Sequence, residues 1–156
     1  MFVAIFITAI SIVAPGLSRT PIAPVAGPVV ERFVAPPCPR CAGHRGVTIA
    51  STPGQPVVAV LSGTVAFVGQ VAGHVYVVQT IAPGVKVTYG WLESAQSLVQ
   101  GESVTQGQEV GVAAQRTYLG VRIGGQYVEP LRYLGLGWAR LLGPGGVVVG
   151  RGTLPR

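Results

Sequence analysis

Glycine and proline corners between valine-rich runs are the feature that most limits the folds open to this chain. The sequence holds 23 Gly and 13 Pro in 156 residues, and many of them separate short runs of Val, Thr and aromatic residues. Such runs favour β-strands. The runs predicted as strands are 57–61, 64–68, 75–80, 85–89, 118–122 and 126–128. We therefore predict an all-β domain whose antiparallel hairpins form a sandwich or a barrel-like sheet.

The two ends of the chain differ from this body. Residues 2–14 are apolar but fall short of the roughly 20 residues of a transmembrane helix, which suits the core of an export signal. We expect residues 1–17 to be a signal peptide or a membrane anchor, with a buried strand as the alternative. Residues 18–31 are a Pro-rich linker and 138–156 a loose tail, which leaves 32–137 as the domain. The expected location is extracellular, in the cell wall or anchored to the membrane.

The charge of the chain is diffuse. The formal net charge is +6, and the basic residues are scattered arginines with a single lysine, Lys86. Nucleic-acid-binding proteins usually cluster such residues on one face, so nucleic acid is not a predicted partner. A diffuse positive charge also suits an anionic surface such as a cell wall or a membrane face.

Cys38 and Cys41 form a C-x-x-C pair. No βαβ pattern surrounds it, so a thioredoxin-like redox site is not indicated. In an exported chain the two cysteines are predicted to form a disulfide. Free thiols are one alternative, and a metal site that adds His44 is another. Structural zinc takes four ligands, and no fourth is evident because His74 falls inside a strand pattern.

Acidic residues are few. The chain has five glutamates and no aspartate, which leaves few ways to orient a catalytic histidine or to bind a hard cation. We find no arrangement of Ser, His and Asp that predicts nucleophilic catalysis.

Several stretches together carry a family resemblance. They are 43-GHRGVTIASTPGQPVVAVLSGTVAFVGQVAG-73, 88-TYGWL-92, 101-GESVTQGQEVG-111 and 117-TYLGVRIGGQYVEPLRYLG-135. In order and spacing they resemble the lysostaphin-type (LytM) zinc metallopeptidase domain, over about residues 32–136. The family consists of secreted enzymes that cut peptide cross-bridges of peptidoglycan. The resemblance implies a mostly antiparallel β-domain with a groove.

The resemblance also locates the residues that would bind zinc and assist catalysis. His44 matches the first metal ligand, whereas Thr48 and Tyr118 stand at the other two ligand positions. Trp91 and Arg116 stand at the positions of the two helper histidines. A catalytic zinc needs three protein ligands and an open position, so we expect no catalytic residue and no cofactor.

We therefore expect a catalytically degenerate metallopeptidase-like domain. It would bind cell-wall peptide or regulate a wall hydrolase, with possible membrane anchoring through the N-terminal segment. Its groove is predicted to be lined by His44, Tyr89, Trp91, Arg116, Tyr118 and Arg122. One alternative is an active zinc endopeptidase that cleaves peptidoglycan cross-links. Another is a purely structural interaction domain of the envelope.

Overall fold

The computed structural model describes residues 20–38 and 40–136. The predicted export segment 1–17 and the predicted tail 138–156 lie outside these residues. The elements described are β1 (Val29–Glu31), β2 (Val47–Ala50), β3 (Pro56–Val58), β4 (Gly63–Val71), β5 (His74–Ala82), β6 (Val85–Ala95), β7 (Ser103–Val104), β8 (Glu109–Ile123), β9 (Gln126–Val128) and α1 (Pro130–Tyr133). Within this part of the chain, no helix has both the length and the apolar character to cross a membrane.

The nine strands join in one antiparallel sheet, so the predicted all-β, antiparallel domain is confirmed. The strand order is β1-β2-β8-β6-β5-β4-β7, and β3 and β9 both pair with β8. The 15-residue β8 thus contacts β2, β3, β6 and β9 and links the parts of the sheet.

Period-two alternation decides which face of the sheet is buried. In β6, Val85, Val87 and Tyr89 are buried, whereas Lys86 between them is exposed. In β8, Leu119 and Val121 likewise point into the core. The intervening side chains lie on the opposite face, which we call the outer face.

Strand β6 continues beyond the predicted end at residue 89. It runs to Ala95 because a bulge between Gly90 and Leu92 keeps its pairing with β8 on both sides. Trp91 sits in this bulge with a φ of 57°, a region that non-glycine residues rarely occupy. Residues 92–95, which follow the bulge, therefore also belong to the sheet.

Candidate functional site

His44 lies at one end of a loop that is closed by backbone hydrogen bonds. Its backbone forms two hydrogen bonds with Val34, each 2.9 Å long, which close the loop between them. Cys38 and Cys41 form a disulfide inside this loop. The backbone of His44 is therefore fixed next to the start of β2.

The side chains of Glu31, His44, Thr48 and Arg116 form one hydrogen-bonded network, which we call the substituted-ligand cluster. The Thr48 hydroxyl is fully buried and donates to Oε2 of Glu31 at 2.9 Å. Nε2 of His44 lies 3.1 Å from the same hydroxyl oxygen. Arg116 donates from Nη1 to the other Glu31 oxygen, Oε1, also at 2.9 Å.

These contacts assign the proton on His44. A threonine hydroxyl has a single proton, and Thr48 gives it to Glu31. Nε2 of His44 must therefore carry a proton and donate it to Thr48 Oγ1. That nitrogen then has no lone pair to offer a metal.

The donor set does not fit the zinc ion that the resemblance implies. A catalytic zinc takes three ligands from His, Cys, Asp or Glu, and only His44 and Glu31 are of these types here. Arg116 also places a fixed positive charge beside the Glu31 carboxylate. Across residues 20–38 and 40–136, no three His, Cys, Asp or Glu side chains are grouped as a metal site.

Tyr118 stands directly opposite Thr48 across β8 and β2. Its ring lies over Gly90 of β6 and over Gly46, which comes just before β2. A Cβ built on Gly46 would come within 2.6 Å of the ring, and one built on Gly90 within 3.2 Å. Because glycine has no side chain, these two positions leave space for the ring of Tyr118. The resemblance places a metal-ligating histidine at the position of this tyrosine.

Trp91 completes an aromatic cluster on the outer face. Its ring centroid lies 5.6 Å from that of Tyr118, 6.4 Å from that of His44 and 6.3 Å from that of His74. The bulge in β6 directs Trp91 to this position. Aromatic rings at such separations interact favourably and give a rigid contact surface.

A second feature on the outer face is a pocket of about 500 Å³, which we call the basic pocket. Its lining residues are Arg45, Ala66, Phe67, Val71, Tyr76, Val78, Lys86, Thr88, Tyr118, Arg122 and Tyr127. Tyr118 belongs to both this pocket and the aromatic cluster, so the two surfaces are continuous.

Burial raises the pKa of the Tyr118 phenol well above its ordinary value, and the neighbouring Tyr127 and Tyr76 raise it further. Arg122 and Arg45 act in the opposite direction because they stabilise the phenolate. Tyr118 is therefore a neutral hydrogen-bonding group at physiological pH.

The structure brings most of the predicted site residues together, but not Tyr89. His44, Trp91 and Tyr118 share the aromatic cluster, and Arg122 lines the basic pocket. Tyr89 is fully buried; its hydroxyl accepts from the Val60 amide and donates to Gln79, so it does not line a groove. Tyr89 lies two residues after buried Val87, and residues two apart in a strand point to the same face. This spacing in the sequence indicates an inward side chain for Tyr89.

Glu31, Arg45 and Tyr127 were not among the predicted site residues. Glu31 occurs in a strand of only three residues, and nothing in the local sequence links it to Thr48 or Arg116. Tyr127 pairs with Arg122 across the hairpin of β8 and β9, and this pairing is readable from the Gly-Gly turn between them.

Comparison with known families decides the relationship. The sequence model of Peptidase family M23 matches residues 42–130, more than half of the 156 residues. The chain belongs to Peptidase family M23. The suspected lysostaphin-type relationship is thereby confirmed, and the M23 match includes His44, Thr48, Trp91, Arg116 and Tyr118. A comparison with curated proteins finds no match.

Solved structures share the fold of this M23 domain. A zinc-containing peptidase from Vibrio cholerae has a TM-score of 0.61 and 22% identity, with 70% of this chain and 38% of that chain covered. The structure of Helicobacter pylori Csd3 has a TM-score of 0.64 and 24% identity, with 72% of this chain and 32% of that chain covered. A chain in the SpoIIIAH–SpoIIQ complex has a TM-score of 0.61 and 22% identity, with 72% of this chain and 99% of that chain covered. The matched region thus spans only about a third of each of the first two proteins.

Proposed function

We propose that this M23 domain is a non-catalytic binding domain of the cell envelope that recognises cell-wall peptide. The observation that carries the proposal is the substituted-ligand cluster. Glu31, Thr48 and Arg116 satisfy one another and occupy His44 Nε2, so the position has no set of ligands that converge on a metal.

The remaining outer face supports binding rather than chemistry. Trp91 and Tyr118 give aromatic contact area, and the adjacent basic pocket supplies positive charge. Aromatic rings and arginines are the side chains that contribute most to recognition of peptides and carboxylates. A location outside the cytoplasm is part of this proposal, and the Cys38–Cys41 disulfide supports it because disulfides persist in oxidising compartments.

The second candidate is a domain that docks on a wall hydrolase and regulates it. One observation favours it: among the similar folds is a chain solved in a protein–protein complex, that of SpoIIIAH and SpoIIQ. In this reading the aromatic cluster contacts a protein surface instead of a wall peptide.

Co-sedimentation with purified peptidoglycan tests the first candidate. The full chain, supplied with zinc, is mixed with intact sacculi, and the released peptides are followed by chromatography. We expect sedimentation without cleavage. Trp91→Ala should weaken sedimentation, whereas Tyr133→Ala, which removes an exposed tyrosine of α1, should not.

The other outcomes select among the alternatives. Release of cleaved cross-links with one zinc per chain would establish the active endopeptidase. Failure to bind sacculi, combined with capture of a purified wall hydrolase, would establish the docking domain. Failure of both would leave a structural envelope domain and overturn the proposal.

A further inference from the structure

The charged side chains that line the basic pocket are all positive. Three of its lining side chains are cations, Arg45, Lys86 and Arg122, and none is a carboxylate. Its volume of about 500 Å³ lies in the range of pockets that bind small molecules. The apolar side chains of Phe67, Val71 and Val78 form part of the same lining.

Two of the three cations lie against one aromatic ring, and the third faces one of them across two strands. Lys86 and Arg122 face each other across β6 and β8, and Arg122 faces Tyr127 across β8 and β9. The guanidinium carbons of Arg45 and Arg122 lie 5.8 and 5.5 Å from the centre of the Tyr127 ring. Stacking on this ring holds both guanidinium groups in place.

Most acidic residues of the chain are engaged away from Lys86 and Arg122. The chain has no aspartate, and four of its five glutamates accept hydrogen bonds elsewhere. These are Glu31 from Thr48 and Arg116, Glu102 from the Val99 amide, Glu109 from Gln96, and Glu129 from the first turn of α1. Among the residues described, no carboxylate forms an ion pair with Lys86 or Arg122.

Lys86 and Arg122 face each other with no carboxylate paired to either among the described residues, so they repel each other, and a bound anion relieves that repulsion. A guanidinium that is already oriented binds a carboxylate through two parallel hydrogen bonds, and an ammonium adds a point charge. The apolar part of the lining requires a ligand that also carries carbon groups. An inorganic anion matches only the cations of the pocket. The C-terminal end of a peptide matches both the cations and the apolar side chains.

We propose that the basic pocket binds the free C-terminal carboxylate of a short peptide. Arg122 and Lys86 hold the carboxylate, and Phe67 and Val78 contact the terminal side chain. This inference rests on the proposed function and names its ligand more narrowly: a peptide with a free end, as opposed to an uninterrupted cross-bridge.

Binding of matched peptides to the full chain tests this inference. The probes are N-acetyl-trialanine in all-L and all-D form, each as the free acid and as the C-terminal amide, with inorganic phosphate as a further probe. Calorimetry or NMR titration supplies the dissociation constants. For at least one stereoisomer we expect the acid to bind about tenfold or more tightly than its amide, the effect of losing hydrogen bonds to a charged group.

Variants locate the binding site. Arg122→Gln and Lys86→Gln should each weaken acid binding about tenfold, and Arg122→Lys should recover part of the loss because it restores charge without the planar fork. Arg132→Gln, at an exposed position of α1, is the control with the same charge change and should have no effect. Circular dichroism of each variant verifies that it folds.

Several results would overturn the inference. They are equal binding of acid and amide, absence of acid binding, phosphate binding as tight as acid binding, and acid binding that is unchanged by Arg122→Gln and Lys86→Gln. Sacculus binding separates this failure from failure of the proposed function. If the wild type sediments with sacculi but discriminates no peptide ends, only the pocket assignment fails. If it binds free acids but not sacculi, wall binding fails and the pocket assignment stands.

Discussion

The carboxylate of Glu31 and the guanidinium of Arg116 lie 2.9 Å apart, although 85 residues separate them in the chain. The pair connects β1, at the edge of the sheet, to β8, two strands further in. Thr48 lies between them, opposite Glu31 on one side and opposite Tyr118 on the other. These contacts form an ordered polar cluster around positions where the resemblance places zinc ligands, and the cluster can be tested directly.

Zinc content is the first test. We expect the wild-type chain, offered zinc, to hold well below one ion per chain, because no three ligands converge. The triple variant Glu31→Ala/Thr48→Asp/Tyr118→His should approach one ion per chain. Metal analysis after dialysis measures both.

The double variant Glu31→Ala/Tyr118→His serves as the control for that test. It should not reach one ion per chain, because only His44 and the introduced histidine remain as ligands. One tightly held zinc in the wild type would contradict the assignment of the site.

Glu31 and Arg116 should contribute unequally to stability. Glu31→Ala removes the acceptor of a fully buried hydroxyl, and we expect the free energy of unfolding to fall by about 1–2 kcal/mol. Arg116→Ala should lower it by less than about 0.5 kcal/mol, because the arginine side chain is 61% exposed. Urea denaturation of both variants and of the double variant gives the coupling energy. Equal effects would show that Thr48 finds another acceptor.

Tyr89 should act through the core. Tyr89→Phe leaves the Val60 amide and Gln79 without their partner, and we expect a loss of about 1–3 kcal/mol in the free energy of unfolding. Tyr127→Phe, at an exposed ring, is the matched control and should be nearly neutral. Peptide binding by correctly folded Tyr89→Phe should equal that of the wild type; a specific loss of binding would return Tyr89 to the groove.

Stability should decline at alkaline pH. Burial raises the pKa of the Tyr89 phenol and of the Tyr118 phenol above the ordinary value. Above about pH 10 the unfolded chain releases these protons while the folded chain retains them. The unfolded state then binds fewer protons, so the free energy of unfolding falls as pH rises, by up to about 1.4 kcal/mol per pH unit for each group.

Denaturation curves on either side of about pH 10 measure this decline. Tyr118→Phe should remove about half of the slope contributed by the two tyrosines. An unchanged slope in this variant would show that Tyr118 ionises in the folded protein as readily as in the unfolded chain.

The sequence predicts the sheet well where alternation is regular. The valine-rich runs in β4, β5, β6 and β8 each have one buried face, and Gly or Pro marks the turns between them. It does not predict that β6 continues past Trp91, since the positive φ of a tryptophan is enforced by pairing on both sides of the bulge. Short β2 was missed because only four residues carry its pattern.

The site is only partly predictable from the sequence. The resemblance located His44, Thr48 and Tyr118 because these positions belong to a motif with fixed spacing. Glu31 lies outside that motif, and its contacts span 17 residues to Thr48 and 85 to Arg116. Contacts of this kind depend on the register of β1 against β2, which local sequence does not specify.

The substituted-ligand cluster has a consequence for how this sequence can change over generations. Thr48→Asp occurring first sets two carboxylates against each other, whereas loss of Glu31 occurring first leaves a buried hydroxyl without its acceptor. Either of these two changes, made first, therefore lowers the stability of the folded chain. Any route that changes these two residues one at a time toward a metal site therefore passes through a less stable protein, and the order of the two changes sets how large that loss is.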